Sequence, residues 1–123
     1  MDDVNRNISI IEHILSYCQE IAEMVKRFGD SFEDFNSDSA YRHACSMCIF
    51  QIGELTAHLT DDFKQAYDDI PWRSMKAMRN VAAHHYSKFD IETLWESISE
   101  DIPALKDYCA SVLDQDELSH DQE

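Results

Sequence analysis

The chain has 123 residues, of which 44% are hydrophobic, and these values predict one folded domain with one core rather than a disordered chain. Two glycines and two prolines are very few for an all-β domain, which needs many turns, so the composition favours long helices. The formal net charge of −15 argues against a simple nucleic-acid coat protein. No apolar run reaches the roughly 20 residues that span a bilayer, and the acidic N-terminus lacks the basic start of a signal peptide, so we expect a cytoplasmic protein without a membrane partner.

The first predicted helix runs from about Asp3 to Phe28, where apolar residues recur at spacings of three and four. Gly29 follows as its stop signal. The next segment, DSFEDFNSD, is predicted to be a loop whose Phe32 and Phe35 pack under the core.

The second predicted helix begins at a cap, Ser37 or Asp38, and ends near Leu59. Its apolar residues form two stripes. The first consists of Tyr41, Cys45, Cys48, Ile52, Leu55 and Leu59; the second consists of Met47, Phe50 and Ala57, interrupted by Glu54. A helix that is apolar on two sides is buried on two sides. The second stripe therefore faces either another helix of the same chain or a second subunit, and the pattern does not decide between them.

The segment TDDFKQAYDDI predicts a short helix or turn, capped by Thr60 or Asp61. Pro71 then suits the first position of another helix.

Asp90 is the predicted cap of the last helix, which Pro103 should kink or restart, with Asp101 as a possible new cap. The fold class is thus an all-α bundle of four or five helices. We expect one domain over residues 1–113, followed by an acidic, disordered tail over residues 114–123.

The four cysteines do not form a recognisable metal site. Cys45 and Cys48 make one C-x-x-C pair, but a structural zinc site needs a second pair of ligands, and none occurs at a suitable spacing. We expect reduced thiols that pack as small hydrophobic groups, and we expect no metal and no other cofactor.

A basic segment stands out in this acidic chain. PWRSMKAMRNVAAHHYSKF, from Pro71 to Phe89, has no acidic residue and holds four of the ten basic residues, which are Arg73, Lys76, Arg79 and Lys88. The segment is either a chance cluster on a solvated face or a surface that binds an anion.

A helical wheel at about 100° per residue separates the two adjacent histidines of this segment. Five residues share one arc of less than half the circumference: Arg79, Asn80, Ala83, His84 and Tyr86. His85 lies on the other side, with Val81, Ala82, Met75 and Met78, where a histidine is usually packed and hydrogen-bonded. The two histidines are therefore expected to have different roles.

The polar arc fits metal-independent cleavage of an RNA phosphodiester. Arg79 suits bidentate phosphate binding, and His84 can exchange protons near neutral pH. Asn80 and Tyr86 can orient substrate, and Lys76 can bind a neighbouring phosphate. One histidine cannot readily be base and acid in one concerted step, so a two-fold dimer would supply a second His84 and a second Arg79.

The same residues resemble the signature of the HepT-like toxins in the HEPN superfamily, which is arginine, four residues, histidine, one residue, tyrosine. The segments IGE, IPWRSMKAMRN, LWESISEDIPALKDY and FEDFNSDSAYRHACSM are also similar to that family. The likeness covers the chain from about Phe32 to Tyr108.

This resemblance implies an antiparallel helical bundle that forms a homodimer with an RNase site in the dimer cleft. It implies that Arg79 and His84 are catalytic, and that Asn80 matches the family's common asparagine. It also implies a partner, an MntA-like minimal nucleotidyltransferase antitoxin, which transfers AMP to Tyr86. His85 departs from the family, where an aspartate is frequent at that position.

Two other functions compete with an endoribonuclease toxin. One is a non-catalytic subunit that binds and regulates a nucleotidyltransferase through its acidic surface. The other is a metal protein that uses His84, His85 and the cysteines, which the helical spacing disfavours because adjacent side chains diverge on a helix.

Overall fold

The computed structural model describes residues 2–83 and 87–121, and this part of the chain is helical throughout its regular structure. The helices are α1 (Asp2–Phe28), α2 (Phe32–Ser37), α3 (Ser39–Ala57), α4 (Asp61–Ala66), α5 (Trp72–Ala83), α6 (Lys88–Glu96) and α7 (Ile102–Asp121). A π-helical turn, Ser97–Asp101, joins α6 directly to α7. No strand occurs in the described ranges, and the predicted all-α fold class is confirmed.

The core lies between four longer helices. Helix α1 packs against both α3 and α7, and α3 packs against α5. Two smaller helices pack against these longer ones: α2 contacts α3 and α6, and α6 contacts α5. Helix α5 therefore has one side against α3 and leaves its opposite side at the surface.

Helix α2 replaces the loop that the sequence predicted at DSFEDFNSD. Its start is capped by Ser31, whose hydroxyl accepts a hydrogen bond from the Asp34 backbone N–H at 3.1 Å and donates one to the Asp34 carboxylate at 2.9 Å. This local pair stabilises a helical turn that a hydrophobic pattern over so few residues does not reveal. Phe35 is fully buried, as predicted, whereas Phe32 is only partly buried.

Three of the predicted helix boundaries are confirmed. Gly29 ends α1 with a positive φ of 122°, a conformation that glycine adopts without steric cost. The Asp38 carboxylate accepts from the backbone N–H groups of Ala40 and Tyr41 at the start of α3. The Thr60 hydroxyl accepts from the backbone N–H of Phe63 at the start of α4.

The predicted start of α6 is wrong by one turn. Ser87 caps this helix, because its hydroxyl accepts from the backbone N–H of Asp90 at 3.1 Å. Asp90 lies inside the first turn, where a carboxylate also interacts favourably with the helix dipole.

The predicted new cap at Asp101 is also wrong. The chain passes Pro103 without interrupting the helix, because the turn before it widens to the π form and the Ile102 N–H bonds to the Ser97 carbonyl. The wider turn accommodates a residue that has no N–H and whose ring crowds the preceding turn.

Helix α7 continues to Asp121, past the end of the predicted domain. Gln115, Glu117 and Leu118 favour helix, and Asp116 is partly buried. Residues 114–121 are therefore helical where the sequence suggested a disordered tail, and the division into a domain over 1–113 and a tail over 114–123 stays a prediction.

The cysteines are buried and free of disulfides, as expected: Cys18, Cys45, Cys48 and Cys109. Burial raises the pKa of each thiol to about 12, so all four remain protonated at neutral pH and are poor nucleophiles. Among the helices of residues 2–83 and 87–121, none is both long and apolar enough to cross a membrane.

Candidate functional site

Helix α5 carries the basic segment and is fixed at its start by Trp72. The indole N–H of Trp72 donates to the carbonyl of Lys64 at 3.2 Å, which ties α5 to α4. Met75, Met78 and Ala82 are buried, so the apolar side predicted by the helical wheel is confirmed for these residues. The opposite side of α5 is thereby turned towards solvent.

Arg79 lies at the edge between these two sides and makes an ion pair with Glu54 of α3. Its Nη1 donates to the Glu54 carboxylate Oε1 at 2.9 Å. The two side chains are 29% and 40% exposed, respectively. A half-buried charge-assisted hydrogen bond of this length holds the guanidinium in a defined position while leaving it accessible.

Gly53 allows this close approach of α5 to α3. A Cβ atom at position 53 would lie 2.5 Å from the Arg79 Cβ and 3.3 Å from the Met75 carbonyl oxygen. Side-chain atoms do not tolerate a separation of 2.5 Å, so only glycine permits the Arg79 stem to pack here. The adjacent pair Gly53 and Glu54 therefore sets both the depth and the orientation of Arg79.

The remaining described basic residues of this segment are exposed, namely Arg73, Lys76 and Lys88. They carry positive charge on a surface whose own segment contains no acid, in a protein with a net charge of −15. Arg73, Lys76 and Lys88 thus add positive charge to the segment that holds Arg79, whose own charge the Glu54 carboxylate partly offsets.

The structure places only part of the predicted polar arc. Asn80 and Ala83 are exposed on α5, in agreement with the helical wheel. His84, His85 and Tyr86 lie outside the described residues, and the predictions about them rest on the sequence.

Sequence reasoning missed the role of Glu54. In the sequence, Glu54 stands out only as a polar interruption of an apolar stripe on α3 and as the last residue of the segment IGE. A buried helix face that carries a glycine and then a carboxylate signals a close helix crossing with a charged partner. The partner itself is 25 positions away in sequence, and no local pattern identifies it.

The geometry suits the binding of a phosphate at Arg79. The described contact to Glu54 uses Nη1, whereas a guanidinium has five N–H groups in a planar fork. A phosphate oxygen can therefore bind at Nε and Nη2 while Glu54 stays in place. Among the described residues, no group of three or more histidine, cysteine or acidic side chains is arranged to hold a metal ion.

The sequence matches known proteins over most of its length. The profile of the family described as "Ribonuclease HepT-like" matches residues 14–112. A Thermococcus cleftensis protein named "Probable ribonuclease HepT" is 36% identical over 95 residues, which cover 73% of this chain and 86% of that protein.

A Caldanaerobacter subterraneus protein named as a "Putative RNase" is 32% identical over 106 residues, covering 86% of this chain and 93% of that protein. A Methanocaldococcus jannaschii protein, also named as a "Putative RNase", is 28% identical over 93 residues, which cover 76% of this chain and 84% of that protein. No solved structure matches the chain significantly. The extent of the profile match, together with relatives of this similarity, shows that the chain belongs to the ribonuclease HepT-like family.

Proposed function

We propose that this protein is a metal-independent endoribonuclease that cleaves RNA at a site centred on Arg79 and His84. The observation that carries the proposal is the half-buried Arg79 guanidinium, which Glu54 of α3 holds in place on a basic segment, Pro71 to Phe89, that contains no acidic residue of its own. Support also comes from the family, since relatives that cover most of the chain are named as ribonucleases.

In the proposed reaction, a base removes the proton from a ribose 2′-OH, and the oxygen attacks the adjacent phosphorus. The bond between phosphorus and the 5′ oxygen breaks, and an acid protonates that oxygen, leaving a 2′,3′-cyclic phosphate. Arg79 neutralises the charge that grows on the phosphoryl oxygens. His84 is the general base or acid, and Asn80, Tyr86 and Lys76 position the substrate.

Glu54 is a positioning residue in this scheme, because it touches Arg79 rather than the substrate. We expect Glu54→Ala to lower the cleavage rate by about 10- to 100-fold, the equivalent of one hydrogen bond to a charged group. Glu54→Gln should have a smaller effect, because its amide oxygen still accepts from Arg79.

The measurement is the initial rate on a single-stranded RNA, with Glu12→Ala, an exposed glutamate of α1, as the matched control. A Glu54→Ala protein that melts at the control temperature and cleaves as fast as the control would show that Arg79 does not need this partner.

We propose that the protein acts as a homodimer with the active site in the cleft between subunits, near α3 or α5. A second His84 would supply the missing acid or base. The second apolar stripe of α3 supports this, because Met47 is 60% exposed and Ala57 is exposed rather than covered by the same chain. Sedimentation at micromolar concentration should therefore give the mass of a dimer. A monomer with full activity would contradict the shared site.

We further propose that the protein is the cytoplasmic toxin of a toxin–antitoxin pair, and that an MntA-like nucleotidyltransferase neutralises it by transferring AMP to Tyr86. The added phosphate and adenosine would lie seven residues from Arg79 in sequence, about two helical turns, and would compete with RNA for the basic surface.

Incubation of the protein with the nucleotidyltransferase and ATP should increase its intact mass by one adenylate. Peptide mapping should place this adenylate on Tyr86, and the modified protein should no longer cleave RNA. Tyr86→Phe is the control that should stay unmodified. Modification at another residue, or a modified protein that cleaves RNA at the original rate, would defeat this mechanism.

A second candidate is a non-catalytic subunit that binds and regulates a nucleotidyltransferase. The net charge of −15 favours it, because an acidic surface can dock a basic partner and repels RNA outside the basic segment. Binding to the nucleotidyltransferase without any RNA cleavage by the purified protein would favour this candidate.

A further inference from the structure

A cavity of about 300 Å³ lies between the second half of α1 and the start of α7. Its volume falls at the lower end of the range for pockets that bind small molecules. Four residues of α1 line one side, at spacings that place them on one face of that helix. They are Cys18, Ile21, Ala22 and Val25. No described residue that lines the cavity belongs to α3 or α5, so it is separate from the Arg79 site.

The π-helical turn and the start of α7 form the opposite wall. Ile98 belongs to this turn, Ile102 and Pro103 follow it, and all three line the cavity. Ile98 and Ile102 are 3% and 2% exposed, respectively. A π turn is an uncommon departure from the regular helix and is frequently found at functional sites. Since both walls are apolar, the cavity favours a ligand with a hydrocarbon part.

Two lysines line the same cavity, one from each helix. Lys26 of α1 is exposed, and its ammonium lies 3.8 Å from the Glu23 carboxylate in a pair that water screens. Lys106 of α7 is partly buried and forms no ion pair with any residue in the described ranges. Asp30, which is exposed, also lines the cavity. Lys106 thus lacks a described ion-pair partner in a chain that has 25 acidic and 10 basic residues.

The positive charge of Lys106 acts on the lining of the cavity. Burial, followed by the neighbouring Cys109, raises the pKa of the Cys18 thiol to about 12, and Lys106 opposes this increase. Because Cys18 is 0% exposed and lines the cavity, an ammonium that influences it lies beside the cavity rather than extended into water. Opposite charges attract more strongly in such a partly desolvated position than in water. An anionic group of a ligand would therefore find its counter-charge at Lys106.

We propose that this cavity binds a small amphipathic anion, namely an alkyl carboxylate, with its chain against the apolar walls and its carboxylate at Lys106. Burial of the chain removes hydrocarbon from water, and the ammonium donates charge-assisted hydrogen bonds to the carboxylate. Ala22 leaves part of the space that the chain occupies, because its side chain ends at Cβ. The site does not depend on the proposed ribonuclease function, and its test uses no RNA.

The test is isothermal titration calorimetry of the full-length protein with octanoate, hexanoate, 1-octanol and octylammonium at one ionic strength. Octanoate should bind most tightly. Hexanoate should bind about tenfold more weakly, because it buries two fewer methylene groups. Octanol, which lacks the charge, and octylammonium, which carries the opposite charge, should each bind at least tenfold more weakly than octanoate, as an estimate of roughly one charge-assisted contact.

Three variants locate the site. Lys106→Gln should weaken octanoate binding about tenfold and leave octanol binding unchanged, because it removes only the charge. Ala22→Leu should weaken binding of both molecules by about tenfold or more, because the larger side chain occupies the cavity. Lys64→Gln is the matched control and should change neither affinity, since Lys64 is a partly buried lysine of α4 that also forms no ion pair with a described residue. Thermal melting verifies folding, and if Ala22→Leu does not fold, the two lysine variants decide.

The site is refuted if octanoate and octanol bind equally, if none of the four molecules binds at millimolar concentration, or if Lys106→Gln and Lys64→Gln weaken octanoate binding to the same extent. It is also refuted if a folded Ala22→Leu protein binds octanoate as tightly as the wild type does, because the ligand would then lie elsewhere.

Discussion

Replacing His84 with alanine is expected to lower the rate of RNA cleavage by about 10²- to 10⁴-fold, the usual contribution of general acid–base catalysis. Replacing the adjacent His85 should leave most of the activity. The reason is the helical wheel, which puts His84 on the arc of Arg79 and Asn80, and His85 on the side of the buried Met75 and Met78. In the described part of α5, Met75 and Met78 are buried and Asn80 is exposed, as the helical wheel predicts for these three residues.

The His85→Ala protein is the matched control for the His84→Ala protein, because each variant removes one imidazole and the two positions are adjacent. Initial rates on one RNA substrate, together with far-UV circular dichroism to verify folding, complete the measurement. Equal losses in two folded variants would overturn the assignment of the catalytic role to His84 alone.

Replacing Gly53 with alanine is expected to lower both the stability and the activity of the protein. Alanine gains up to about 1 kcal/mol over glycine inside a helix. Against this, the new methyl group would lie 2.5 Å from the Arg79 Cβ, and overpacking of this kind costs about 1–3 kcal/mol. Either α5 or the Arg79 stem must move, and a displacement of about 1 Å at a catalytic group can cost 10²-fold in rate.

We expect the cleavage rate of Gly53→Ala to fall by about 10²-fold, measured well below the unfolding midpoint so that unfolding does not contribute. Urea denaturation gives the accompanying change in the free energy of unfolding. Ser111→Thr adds one methyl group to an exposed position of α7 and serves as the control. A Gly53→Ala protein with unchanged stability and full activity would show that α3 and α5 do not need this close contact.

The regular spacing of apolar residues over long segments made the helical bundle predictable from the sequence. The spacing of apolar residues predicted α1, α3 and α5 because each helix has an extended face in the core. Single capping residues, Asp38 and Thr60, marked the starts of α3 and α4. The features of the fold that were not predicted depend on short local contacts. Ser31 with Asp34 forms α2, Ser87 rather than Asp90 starts α6, and a π turn accommodates Pro103.

The candidate site was predictable only on α5. Arg79, Asn80 and Lys76 were identified because they lie close together in one segment of unusual charge. Glu54 and Gly53 could not be connected with Arg79 from spacing, because the contact joins two helices across a loop and α4.

The most direct test of the central claim is RNA cleavage by the purified wild-type protein in excess EDTA, with Arg79→Ala as the control. We predict that the wild-type protein cleaves single-stranded RNA without added metal and leaves 2′,3′-cyclic phosphate ends. The Arg79→Ala protein should retain its fold and lose the activity. Absence of cleavage, cleavage only after a divalent metal is restored, or equal rates for both proteins would contradict the claim.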